Sequence, residues 1–264
     1  MLTLEHLEKT FLKGTPDAHK ALDGIDLTLS DGEFVTVIGS NGAGKSTLFG
    51  AIGGSFRCDR GRILLDDKDI TCLPEHKRAG AIARIFQDPM KGTAPELSVE
   101  ENIALAYTRS NKRLCSFALN RSIKTKIRDA LAALDMGLED RMNTKIGLLS
   151  GGQRQAVTLL MATISTPKLL LLDEHTAALD PVTAEKVLTL TRDIVSDGHI
   201  TTMMITHNIS SALSLGTRTL MLEQGKIVLD LSGAQREALD VVGLMDMYRN
   251  KRGQELDNDR MLLS

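Results

Sequence analysis

Gly39-Ser-Asn-Gly-Ala-Gly-Lys-Ser-Thr47 fills every fixed position of the pattern G-x-x-x-x-G-K-[ST]. The stretch before it, Phe34-Val-Thr-Val-Ile38, is β-branched and aromatic and predicts a strand, while Thr47-Leu-Phe-Gly-Ala-Ile52 predicts a helix. In a loop between those elements, glycines let the backbone turn its N–H groups inward as an anion nest. The helix N-terminus adds roughly half a positive charge. Gly39, Ser40, Asn41, Gly42, Ala43, Gly44, Lys45, Ser46 and Thr47 then form a cradle for a nucleotide's phosphates, with Lys45 on the β- and γ-phosphates. The Ser46 hydroxyl suits Mg²⁺, a hard cation that prefers oxygen ligands. The plain alternative is a glycine-rich turn after a strand; the filled positions and both flanks favour the cradle.

The 264 residues are enough for one domain with an insertion or for two small domains. A formal net charge of -2 supplies no global basic field, so no nucleic-acid partner is expected. Cys58, Cys72 and Cys115 are odd in number and form no C-x-x-C pair, which argues against a disulfide framework or a zinc site and fits a reducing cytosol. The opening Met-Leu-Thr-Leu-Glu-His is too polar for a signal peptide, and Pro167 and Lys168 interrupt the apolar run that ends at Leu172. A soluble chain is expected, anchored by another subunit if it works at a membrane.

Leu2, Leu4 and Leu7, then Leu22 to Leu29, then Phe34 to Ile38 predict strands leading into the cradle, with Asp31-Gly32 as a turn. Ile63 to Leu65 and Ile82 to Phe86 read as further strands. Between Asp88 and Leu149 the pattern becomes helical: Ser98-Val-Glu-Glu101 is a capping box and Ile123 to Leu134 has helical spacing. A helix from Gly151 to Ser165 is stopped by Thr166-Pro167, and a strand follows from Leu169 to Leu172. Asp180-Pro181 opens a helix that ends at Gly198, with Val187, Leu188, Thr191, Ile194 and Val195 as its buried stripe. Ile200 to Thr206 reads as a strand, and Thr219 to Leu222 with Ile227 to Leu229 as a hairpin through Gln224-Gly225. The fold class expected is α/β, with a largely parallel sheet covered on both faces.

Ser150-x-x-Gln153 is a second capping box at a helix start, where Gly151 and Gly152 leave backbone N–H groups uncovered as a second anion site or simply begin an ordinary capped helix. The leucines before Asp173 and Glu174 carry two carboxylates to the end of a buried strand, where ligands of such sheets bind, although a solvated acidic pair would read similarly. His207 follows another apolar strand, a place usually held by a surface or satisfied polar residue. Gln87 lies in Phe-Gln-Asp-Pro, a loop.

Taken together, Gly39 to Thr47, Gln87, Leu149-Ser-Gly-Gly-Gln-Arg-Gln155, Leu169-Leu-Leu-Leu-Asp-Glu174 and His207 resemble the nucleotide-binding subunit of ATP-binding cassette (ABC) transporters along nearly the whole chain. The resemblance implies a P-loop ATPase core over residues 1–87 and 153–232 with an antiparallel β subdomain and an α-helical insertion at 88–152; residues 233–264, with Leu239, Val242, Leu244 and Met245, read as a C-terminal helical extension or tail. The resemblance also implies ATP and Mg²⁺ as cofactors. Asp173, Ser46 and Gln87 would serve the metal, Glu174 would be the general base, and His207 the switch histidine beside the γ-phosphate. Ser150, Gly151, Gly152 and Gln153 would cover the ATP on a second copy of the chain, and Asp180, equally a helix cap, would cross that interface. Phe11 is either the residue stacked on adenine or a core phenylalanine. His175 departs from the family's usual proline.

The partners implied are a second copy, integral membrane permease subunits and an extracytoplasmic substrate-binding protein, which would place the chain peripherally at the cytoplasmic face of the cell membrane. Asp-Glu-His-Thr-Ala-Ala-Leu-Asp-Pro and Phe-Gln-Asp-Pro-Met resemble bacterial subunits of amino-acid uptake. Cargo contacts would lie in the permease and the receptor. A cassette ATPase acting on ribosomes or DNA, and an inactive regulatory subunit, are the competing readings. The first usually carries two cassettes or a long coiled coil, and the full set of catalytic-type residues argues against the second. The charged stretch Arg109 to Arg128 reads as a solvated helical face or a surface for lipid headgroups or a permease.

Overall fold

The computed structural model describes residues 1–110 and 121–249. Strands β1 (Leu2–Phe11), β2 (His19–Leu29), β4 (Arg60–Leu65) and β5 (Lys68–Asp69) make an antiparallel sheet in the order β2-β1-β4-β5. The second sheet has six strands in the order β10-β9-β3-β8-β7-β6. It is built from β3 (Phe34–Gly39), β6 (Ile82–Ile85), β7 (Leu169–Asp173), β8 (Thr202–Ile205), β9 (Arg218–Glu223) and β10 (Lys226–Ser232). Its central pairs β9-β3, β3-β8, β8-β7 and β7-β6 run parallel, and β10 joins β9 as an antiparallel hairpin through Gln224-Gly225. This is the α/β architecture expected, with the cradle at the carboxyl end of β3.

The strand period of two sorts the core. Val35, Val37, Leu169, Leu171, Met203 and Ile205 point to one side, where they bury against α1 (Lys45–Gly53) and the four-stranded sheet, with Phe49, Leu48 and Ile52 inaccessible among them. Burying each such large side chain stabilises the fold by about 1.5–3 kcal/mol. Phe34, Ile85, Leu170, Leu172 and Met204 point the other way, against α5 (Gly151–Thr163) and α6 (Pro181–Asp197). With both faces covered, β7 is buried at every position and its four leucines read as one apolar run into Asp173.

A third cluster joins α3 (Val99–Ser110) and α4 (Arg121–Ala132) to α5, through Val99, Ile103, Ile127, Leu131, Val157 and Leu160. The capping box at the start of α3 forms as the sequence predicts: Ser98 N–H donates to Glu101 at 2.7 Å and Glu101 N–H to the Ser98 hydroxyl at 3.3 Å. Part of Arg109 to Arg128 lies outside the described residues. On α4, Ile127 is buried while Lys124, Lys126 and Arg128 are exposed, the pattern of a solvated face.

Two short helices escaped the periodicity, α2 (Glu75–Arg78) and α7 (Ile209–Leu215), while α8 (Gly233–Glu237) lies within the stretch read as a helical extension. A further helix spans 241–249 and buries Leu244 against Ile38 and Met221. Residues 250–264, the end of that extension, lie outside the described part. No helix among the described residues is long and apolar enough to cross a membrane.

Candidate active site

The cradle loop is built so that its glycines cannot be replaced. Gly44 caps α1 with φ 102°, and an added Cβ would collide with the Ala21 carbonyl oxygen; at Gly39, φ is 147° and the obstacle is the Leu222 carbonyl oxygen. The loop is fastened from outside, with Gly225 N–H donating to Ala43 O at 3.0 Å and Asp23 N–H to Gly225 O at 2.9 Å. The α1 N-terminus has no side-chain cap, so its first N–H groups remain for an anion. Lys45 folds back over the loop and donates to Gly39 O at 2.7 Å and Ser40 O at 2.9 Å. Burial lowers its pKa, and Glu174 and Asp173 oppose that shift.

A cleft of about 710 Å³ opens over this loop, lined by Asn41 to Thr47 together with Phe11, His19, Ala21, Gln87, Asp173, Glu174 and His207. Four elements far apart in sequence meet there: β6 delivers Gln87, β7 delivers Asp173 and Glu174, β8 delivers His207, and the β1–β2 pair delivers Phe11 opposite His19. Phe11 is 37% exposed. It is therefore no core residue; its ring meets Phe56 edge-on at 5.4 Å and leaves a face to the cleft side of the four-stranded sheet.

Asp173 is buried and Glu174 largely so, with His207 Nδ1 3.4 Å from Glu174 Oε2. Glu174 holds a left-handed backbone, φ 47°, fixed by its N–H donating to Ile205 O at 3.1 Å and by Ala177 N–H donating to its carbonyl at 3.0 Å. Directly after it, His175 is buried, with Nε2 3.1 Å from the Thr191 hydroxyl on α6. Thr191 spends its proton on Val187 O at 2.8 Å, so His175 Nε2 carries the hydrogen and donates. Burial pushes the His175 pKa down to about 4. A neutral imidazole thus stands where the sequence departs from the family pattern.

Ser150 accepts from Gln153 N–H at 3.3 Å, and Gln153 Oε1 reaches back to Ser150 N–H at 3.4 Å, completing the box at the start of α5. Gly152 has Thr183 of α6 against its Cα, with no room for a side chain. Asp180 caps α6 by accepting from Thr183 N–H at 3.1 Å, and its hydrogen bonds with Thr183 hold its carboxyl below the usual range. None of Ser150 to Gln153 lines the cleft.

The oxygen donors on the cleft, Ser46, Gln87 and Asp173, fit Mg²⁺, which takes one or two carboxylates and completes its shell with phosphate and water. Among the described residues no three His, Cys, Asp or Glu side chains cluster into a closed metal cage. One participant had no sequence signal: Arg84 on β6, whose Nη2 donates to Asp173 Oδ2 at 3.0 Å. An arginine inside the predicted strand Ile82 to Phe86 was the only visible anomaly.

The ABC transporter family pattern matches residues 22–177. A tyrosine transport ATP-binding protein of Clostridioides difficile is 40% identical over 94% of this chain and 98% of its own length. The methionine import ATP-binding protein MetN of Rhizobium johnstonii is 37% identical over 79% of this chain and 56% of its own. Among solved structures, an ATP-binding cassette in a dimeric post-hydrolysis state with ADP and Pi superposes with a TM-score of 0.75 at 27% identity, covering 88% of this chain and 98% of that one. With the phosphate cradle, the carboxylate pair and the histidine gathered on one cleft, the chain belongs to the ABC transporter family, as an ATP-binding, ATP-hydrolysing cassette.

Proposed function

We propose that this chain is the ATP-hydrolysing subunit of a bacterial importer, working as a dimer in which each copy's Ser150–Gln153 helix tip closes over ATP held on the partner's Gly39–Thr47 loop. One observation carries the reading. The cleft brings Lys45, Gln87, Asp173, Glu174 and His207 together, while the second anion-binding helix start, on α5, takes no part in lining it. A second copy supplies that face, and the dimeric state named for the solved cassette supports the arrangement. We assign residues 88–152 as the helical insertion that carries this face to the interface.

The roles follow from position. Lys45 leaves the Gly39 and Ser40 carbonyls to hold the β- and γ-phosphates, and Phe11 stacks on adenine. Ser46, Asp173 and Gln87 would hold Mg²⁺, which would polarise the phosphate oxygens. Glu174 accepts the proton of the water that attacks the γ-phosphorus in line, and the bond to the leaving ADP oxygen breaks. His207 orients Glu174 and meets the γ-phosphate, and Asp180 lies at the dimer interface. Permease subunits and an extracytoplasmic binding protein handle the cargo, with this chain at the cytoplasmic face of the membrane. An aromatic amino acid is the cargo we favour, supported by the tyrosine transport relative.

The test is sedimentation of Glu174→Gln with Mg-ATP. A nucleotide-dependent dimer is expected, and a strict monomer, even with its membrane partners present, would overturn the reading. Co-purification with hydrophobic subunits is expected over sedimentation with ribosomes.

A further inference from the structure

We infer that Arg84 is the resident counter-ion of Asp173 and makes divalent-metal binding depend on nucleotide. This rests on the assignment of Asp173 to the metal above. In the parallel β6–β7 pair Arg84 stands opposite Leu171, and Asp173, two residues further along β7, projects from the same face. The guanidinium spans that step and reaches Asp173 Oδ2 at 3.0 Å, with the two side chains only 15% and 13% exposed. At such burial water screens the pair poorly, so the arginine offsets much of the field that the carboxylate would otherwise present to a cation.

Arg84 is also held loosely for a buried arginine. Its Nη1 reaches the Ser55 hydroxyl at 3.4 Å, its Nε is buried without a hydrogen-bond partner, and its guanidinium lies 4.7 Å from the Phe86 ring centre. Asp173 supplies its one full-strength hydrogen bond among these contacts, and the Phe86 ring supplies a resting place if that bond is shared.

Around the cleft floor, Arg84 and Lys45 balance Asp173 and Glu174, two cations against two carboxylates. A bare dication meets no net attraction there. The triphosphate brings the missing negative charge, so metal and nucleotide bind together. Without Arg84, Asp173 and Glu174 outweigh Lys45, and the site attracts a divalent ion alone.

The probe is Mn²⁺, followed by its electron paramagnetic resonance signal with the full chain, with and without a non-hydrolysable ATP analogue. Arg84→Gln should bind Mn²⁺ without nucleotide about tenfold or more tighter than wild type, while Arg84→Lys should stay near wild type. Unchanged or weaker nucleotide-free affinity in folded Arg84→Gln would overturn the inference. So would wild-type protein that binds Mn²⁺ as tightly without the analogue as with it, a result that needs no variant to fold. Asp173→Asn separates the two readings: if it leaves nucleotide-dependent Mn²⁺ binding intact, the metal assignment itself fails, whereas loss of that binding beside an unresponsive Arg84→Gln removes only the role of Arg84.

Discussion

His207 Nδ1 stands 3.4 Å from Glu174 Oε2, across the parallel β7–β8 pair in which Asp173 lies opposite Ile205. The contact is long for a hydrogen bond. The imidazole is 63% exposed and the carboxylate 19%, so the histidine is free to turn and the glutamate is not. The left-handed backbone of Glu174 fixes where its carboxylate sits, and under the proposed mechanism the exposed imidazole is the partner with room to adjust to a phosphate.

Replacing Glu174 with Gln keeps the side chain's volume and removes the proposed proton acceptor. Single-turnover phosphate release should slow by about 10²–10⁴-fold, the range typical of a general base, with affinity for an ATP analogue retained. Unchanged hydrolysis would remove Glu174 from the mechanism.

Lys45→Ala removes the cation that now donates to Gly39 O and Ser40 O. A charge-assisted hydrogen bond is worth about 1.5–3 kcal/mol, so ATP affinity by calorimetry should fall by roughly ten- to a hundredfold. Intact affinity would mean that the loop's N–H groups alone bind the phosphates.

His175 gives the fold a pH dependence. Its pKa of about 4 lies below the ordinary 6.5 of an unfolded chain, so between those values the unfolded state binds the extra proton. The resulting stability is complete above pH 6.5 and is lost as pH falls through 4. At pH 5 the expected loss is about 2 kcal/mol relative to neutral pH. Urea midpoints at pH 7 and pH 5 should show it, and His175→Gln should flatten the difference; equal slopes in both proteins would clear His175.

The features legible in sequence were those with local causes. The cradle, the Asp180-Pro181 helix start and both capping boxes depend on residues within a few positions, and each forms as written. The buried run Leu169 to Leu172 gave the direction of Asp173 because both faces of β7 are covered. What escaped depends on distant or irregular geometry. Arg84 meets Asp173 across 89 residues of sequence. The alternation of β1 is broken by a bulge at His6, φ 47°, beyond which the strand carries Phe11 to the cleft. Helix α7 is only seven residues long, too short for its period to stand out, although the Asn208 side chain accepting from Ser211 N–H at 3.0 Å marks its start.

The proposed shared site makes a demand that a self-contained one does not. In the proposed two-fold dimer the cradle of one copy faces the α5 tip of the other, twice over. Lys45→Ala disables a copy's cradle, and a bulky residue at Ser150, such as Ser150→Phe, blocks its tip, so either variant alone leaves both sites of its dimer impaired. In a mixed dimer, the copy with the altered Lys45 meets the altered Ser150 in one site. The other site then pairs an intact cradle with an intact tip. Mixed dimers isolated by two affinity tags should therefore hydrolyse ATP measurably while each homodimer is nearly inactive. If each chain completed its own site, every copy in the mixture would carry a defect and no activity would return.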